Sequence, residues 1–174
     1  MDYTFNQYNT YASEGLARAI RQNLQGEREK PIVICIGSDL VIGDSLAPLV
    51  GTMAKEKGLS VFLYGTLGST VTAKEVPYLK RYLESMNPKG KRIVIDAAVG
   101  EKSELGMIKC KKSPTYPGRG VQKNLGSIGD FSILGIVTER SIFSQTISDL
   151  VRLKLVYGMA QTISHALCLA LNYI

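Results

Sequence analysis

Residues 31–58, PIVICIGSDLVIGDSLAPLVGTMAKEKG, decide the fold. Pro31 to Gly37 form a short apolar, β-branched run, the pattern of a strand buried on both faces. Residues 45–57 then read as a helix. Ser45 stands at the N-cap position, which puts Pro48 in the first turn, where its missing N–H is harmless. Gly58 is the expected C-terminal stop. A buried strand, a loop and a helix in that order make the repeating unit of an α/β protein.

The same alternation extends in both directions. Upstream, residues 12–24 place Leu16, Ile20 and Leu24 on one helical face, and the charged linker GEREKP follows. Downstream, 59–65 reads as a strand and 77–87 as a helix with Pro77 near its start. Thr72 and Glu75 have capping-box spacing, but a start at Thr72 would put Pro77 inside the helix, so the later start is preferred. Residues 91–97 make a third strand, 106–112 alternate as a half-exposed strand, and 130–138 form another buried one. A long helix is expected from Ile142, with Leu150, Leu153, Val156, Ala160, Ile163 and Leu167 on its buried face. The sum predicts a three-layer α/β/α sandwich with a mixed, mostly parallel sheet of about five strands. It is expected to be a single domain over 1–174, with residues 1–30 as an N-terminal helix and linker packing on it.

Composition narrows the function classes. At 174 residues, 45% hydrophobic and 21% charged, the chain is ordinary globular protein rather than disordered, collagenous or coiled coil. Cys35, Cys110 and Cys168 form no C-x-x-C pair, which argues against a disulfide framework or zinc ribbon and for a reducing, cytoplasmic setting. The opening MDYTFNQYNTYAS has no basic and apolar signal regions. The apolar stretch from Ile163 to Leu171 is far shorter than the ~20 residues of a membrane span, so no membrane partner is expected. The net charge of +6 gathers in 80–92 and 102–123 with few interleaved aromatics, so nucleic acid is not an expected partner.

In open α/β sheets, ligands bind beyond the C-terminal ends of the strands. The first strand is followed by Gly37, Ser38 and Asp39 and then by Asp44 at the helix entry. Asp96 follows the apolar run Ile93-Val94-Ile95, where a carboxylate is costly unless paired or hydrogen-bonded. Either acid has a structural reading as well: Asp96 can cap a loop amide, and Asp44 can cap its helix. If the two converge, repulsion raises one pKa and leaves the other ionised, giving one acid and one base for water-mediated amide hydrolysis. Basic surroundings would work the other way and hold both ionised. Asp39 either tunes the pair or braces the turn. Gly118 and Gly120 flank Arg119 in a loop that admits an anion, a peptide backbone or a plain turn. Ser38 and Ser45 lack a G-x-S-x-G elbow. His165 lies among apolar helix residues, and Cys35 reads as a core thiol.

Four blocks in order carry a resemblance: IGSDLVIGDSLAPLVG (36–51), VIDAAVG (94–100), YPGRGV (116–121) and GDFSILGIV (129–137). Together they resemble the YyaC family of sporulation proteins. That family in turn is similar to the spore germination protease, which degrades small acid-soluble spore proteins, and more distantly to the hydrogenase maturation endopeptidases. The resemblance implies catalytic roles for Asp44 and Asp96. Gly37, Ser38, Asp39, Pro117, Gly118 and Gly120 become the expected substrate-binding residues. Tyr116 stands where the protease has histidine, Asp39 where it has asparagine and Ala47 where it has glycine. His165 does not fall at the endopeptidases' nickel-ligand position, so no metal or other cofactor is expected. The implied function is an aspartate-dependent endopeptidase acting on a protein or peptide, including small spore proteins, in the cytoplasm of the sporulating cell or forespore. An inactive interaction module of sporulation, a small-molecule hydrolase and a homo-oligomer stay open.

Overall fold

The computed structural model describes residues 2–86, 88–116, 126–139 and 151–172. Its elements are β1 (Tyr3–Asn6), α1 (Ala12–Asn23), β2 (Ile32–Cys35), α2 (Leu46–Glu56), β3 (Phe62–Tyr64), α3 (Val76–Met86), β4 (Arg92–Gly100), β5 (Met107–Lys111), β6 (Phe131–Glu139) and α4 (Leu153–Leu171). Short 3-10 turns occupy Gly43–Ser45 and Lys102–Glu104.

The sheet has six strands in the order β1-β5-β6-β4-β2-β3. β3, β2, β4 and β6 run parallel; at one edge β5 pairs antiparallel with β6, and β1 pairs antiparallel with β5 and so runs in the direction of the other four. The α/β class and mixed sheet are as the sequence predicts. The sixth strand is the N-terminal β1, which the sequence reading had passed over. Tyr3 and Phe5 of β1 stack at 6.4 Å and pack on the core, with Phe5 lying over Gly15 of α1. Their neighbours Thr4 and Asn6 point to solvent, so a four-residue strand in a polar segment earns its place only through pairing with β5.

Each central strand divides its side chains between two layers. Val33, Cys35, Ile93, Ile95 and Ile133 face α1, α2 and α4 in the main core. Ile32, Ile34, Ile36 and Val94 face α3 and join Val76, Leu83 and Ile128 in a smaller cluster. Leu16, Ile20 and Leu24 are buried as the 12–24 periodicity requires. In α4 the apolar face holds from Val156 through Leu171, but Leu153 is exposed, because it sits in the first turn beyond the core. The expected helical stretch 142–150, with Leu150, lies outside the described residues.

The starts of two helices also differ in detail from expectation. Ser45 does precede α2, but its hydroxyl donates back to the Ile42 carbonyl at 2.7 Å instead of capping the helix. Thr72 and Glu75 do interact: the Glu75 carboxylate accepts from the Thr72 N–H at 3.0 Å and from its hydroxyl. This closes a turn just ahead of α3, which keeps Pro77 in the first helical turn as its geometry demands. Among the described residues, no helix is long and apolar enough to cross a membrane.

Candidate active site

Asp44 lies in the loop beyond the C-terminal end of β2, whereas Asp96 is not at a strand end as the 91–97 reading expects: β4 runs on to Gly100, and Asp96 sits in its middle, one residue past the last β2–β4 pair, Cys35 with Ile95. The geometry starts with the two central strands. Cys35 pairs with Ile95, and the Ile36 N–H donates to the Ile95 carbonyl at 2.9 Å, which brings the loop after β2 alongside Asp96. Asp96 pairs with Leu134 of β6 and follows Val94 on the α3 face by strand alternation.

The loop then doubles back. The Ser38 N–H donates to the Asp44 carbonyl at 3.1 Å, and the Ser45 N–H donates to the Val41 and Ile42 carbonyls at 3.0 and 3.2 Å. Gly37 makes the closure possible. A Cβ at that position would fall 2.1 Å from the Asp44 carbonyl oxygen, so only glycine admits so close an approach. The 3-10 turn carrying Asp44 consequently packs against β4.

The charge of Asp44 reaches Asp96. Burial, and next the charge of Asp44, push Asp96 up to about 8, against a lowering contribution from the Ala97 N–H. Asp44 is also raised by burial, offset by the Ser38 N–H. The Asp96 carboxyl is enclosed, yet the residue keeps some accessible surface, while Asp44 is exposed at the rim. At neutral pH this arrangement keeps the Asp96 carboxyl protonated within electrostatic reach of Asp44.

The other candidates separate. Gly37 and Ser38 lie in the loop with Asp44, and the Ser38 hydroxyl accepts the Leu40 N–H at 3.2 Å, the role of a turn residue. Asp39 is exposed in the same loop. Pro117, Gly118, Arg119 and Gly120 lie outside the described residues. Their flanks are joined by reciprocal 3.0 Å hydrogen bonds between Thr115 and Ile128, and Ile128 shares the α3-side cluster with Val94. Cys35 is fully buried with its thiol pushed above the ordinary range, which makes it an inert core residue. His165 is exposed on α4 near Glu14 of α1. Among the described residues, no three His, Cys, Asp or Glu side chains gather in a metal-binding group.

Two features at this edge of the sheet escaped the sequence reading. Leu40, Val41 and Ile42 are exposed by 88%, 40% and 40% immediately ahead of Asp44. Three apolar residues inside an otherwise polar loop were the available signal. The second feature is Lys109. Asp96 pairs with Leu134, which pairs with Lys109, so Lys109 stands two strand spacings, about 10 Å, from Asp96 on the same face. Lys109 is ion-paired with Glu104 at 2.5 Å, which spends its charge locally.

The chain matches the family described as "Protein of unknown function (DUF1256)" over residues 4–166. It is 34% identical over 169 residues to the "Uncharacterized protein YyaC" of Bacillus subtilis (strain 168), covering 94% of this chain and 82% of that protein. The chain belongs to the DUF1256 family.

Proposed function

We propose that this member of the DUF1256 family is an aspartate-dependent hydrolase of peptide bonds. The observation that carries the reading is the pair itself: one acid in the loop after β2 and one within the neighbouring parallel strand β4, the latter raised to about 8 by burial and by the other's charge. Asp44, ionised, takes a proton from a water molecule as it attacks the peptide carbonyl. Asp96, protonated, donates to the carbonyl oxygen; as the tetrahedral intermediate collapses, Asp44 passes the proton it took from water to the leaving amine, and Asp96 takes its own proton back from the hydroxyl as the carbonyl re-forms. The substrate class is protein or peptide, with small spore proteins the first to try. The likeness of the four sequence blocks to sporulation proteins supports a place of action in the cytoplasm of the sporulating cell.

The test is hydrolysis of a spore-protein extract by the wild type and by Asp44→Asn and Asp96→Asn. Each variant loses about 10²–10⁴-fold in kcat/KM. Wild-type activity falls on the alkaline side as Asp96 loses its proton near pH 8, and on the acid side as Asp44 gains one. Unchanged activity in both variants overturns the proposed roles.

A second reading, an interaction module, draws on a separate observation. An open groove of about 640 Å³ lies between Gln7 and Tyr8 at the end of β1 and Leu153, Lys154 and Tyr157 of α4. Tyr8, Leu153 and Tyr157 are exposed there by 73%, 56% and 47%. This reading predicts that partner capture from sporulating cells survives both aspartate substitutions and is lost in Tyr157→Ala.

A further inference from the structure

Leu40, Val41 and Ile42 present an arrangement that folding alone does not explain. Three consecutive large aliphatic residues stand exposed in a loop that is tied down at both ends. The Leu40 N–H is bound to the Ser38 hydroxyl, the Val41 and Ile42 carbonyls are bound to the Ser45 N–H, and Asp44 is locked over Gly37. The loop therefore holds Leu40 out in water and leaves Val41 and Ile42 partly exposed beside it. They contribute nothing to either apolar cluster of the fold. What sets the place apart from other exposed apolar residues is its adjacency to chemistry, since Ile42 is two residues from Asp44 and on the same rigid turn.

We infer that Leu40, Val41 and Ile42 form the subsite that receives a large apolar side chain of the substrate beside the bond being cleaved. This rests on the hydrolase reading and names its substrate class: peptides carrying a leucine-, isoleucine- or phenylalanine-sized residue next to the scissile bond. Bringing such a side chain onto the rim removes apolar surface of both molecules from water. It also sets the adjacent carbonyl over the acid pair, so that binding contributes to orientation as well as affinity. A charged side chain at that position would lose its hydration against the same surface without gaining a partner.

The experiment is a positional-scanning library of fluorogenic peptides, presented to the wild type, to Leu40→Ser and to Leu40→Met. Leu40 is exposed, so neither substitution disturbs the core. The wild type prefers large apolar residues adjacent to the cleaved bond. Leu40→Ser lowers kcat/KM for those peptides by about 10-fold or more, with peptides bearing small polar residues changed less than twofold. Leu40→Met restores the preference. A preference profile identical in wild type and Leu40→Ser overturns the subsite, even where Asp44→Asn and Asp96→Asn abolish turnover and so uphold the hydrolase.

If the wild type cleaves none of the peptides, the hydrolase reading fails by itself. The subsite is then judged on retention of the same peptides, immobilised, by the folded protein. Selective retention of apolar peptides that is lost in Leu40→Ser upholds it. Retention without that selectivity, or none, overturns it.

Discussion

Two adjacent residues of β4 point to opposite faces of the sheet and meet opposite environments. Ile95 is completely buried among the side chains of the layer formed by α1, α2 and α4. Asp96, next in the chain, belongs to the face where α3 covers only part of the sheet. One face of the sheet is spent wholly on stability. The other is apolar beneath α3 but also carries polar side chains, Asp96 on β4, the buried Ser132 on β6 and Lys109 on β5. The lesson is that the less covered face tolerates a carboxyl, at the energetic expense recorded in its raised pKa, and so has a place for chemistry.

The sharpest way to break this comparison is to truncate both residues. Ile95→Ala is expected to destabilise the fold by about 2–5 kcal/mol, measured by urea denaturation, because it opens a cavity in a packed layer. Asp96→Asn is expected to cost nothing in stability at pH 5 and nearly all of the activity. If Asp96→Asn unfolds the protein as Ile95→Ala does, the carboxyl is structural and the contrast between the faces disappears.

A pH series sharpens it further. Between about pH 4, where an unfolded aspartate titrates, and about pH 8 the folded chain holds a proton at Asp96 that the unfolded chain has released. The folded state binds more protons there, so this group's contribution to stability declines as pH rises and is lowest above pH 8. The wild type should therefore be less stable than Asp96→Asn at pH 9, by up to a few kcal/mol, and equal to it at pH 4. Thermal melts of the two proteins across that range give the answer. A constant difference at every pH would remove Asp96 as the titrating group.

The two layers should also differ in local opening. α3 contributes two fully covered residues, Val76 and Leu83, whereas α4 buries ten along its length. Amides of α3 are expected to exchange with solvent faster than those of α4, reflecting a lower free energy of local unfolding. Equal protection would mean that the smaller cluster is as cooperative as the main core.

The smallest expected effect belongs to Asp39. It shares the loop with Asp44 but is exposed. Asp39→Asn should change kcat/KM by less than about twofold and stability by less than about 0.5 kcal/mol. A larger loss in activity would bring this third acid into the reaction.

Much of the architecture was legible from residue pattern. Strands such as Ile32–Cys35 and Phe131–Glu139 announced themselves because a strand buried on both faces must be a continuous apolar run. β1 was not legible, because its two half-buried rings mean nothing until β5, about a hundred residues later, pairs with it. The two acids were visible for a similar local reason: Asp96 breaks an apolar strand, and Asp44 sits where a chain enters a helix.

Local sequence thus determined the α/β alternation, the buried strands and the identity of the acids, because periodicity and strand-end position are properties of neighbouring residues. Tertiary structure alone decided that Asp44 and Asp96 share an electrostatic environment. That depends on the pairing of β2 with β4, on the Gly37 contact that swings Asp44 back toward β4, and on the burial of the Asp96 carboxyl. It also decided that Leu40, Val41 and Ile42 face water, since no pattern within a loop says which way the rest of the fold will leave it.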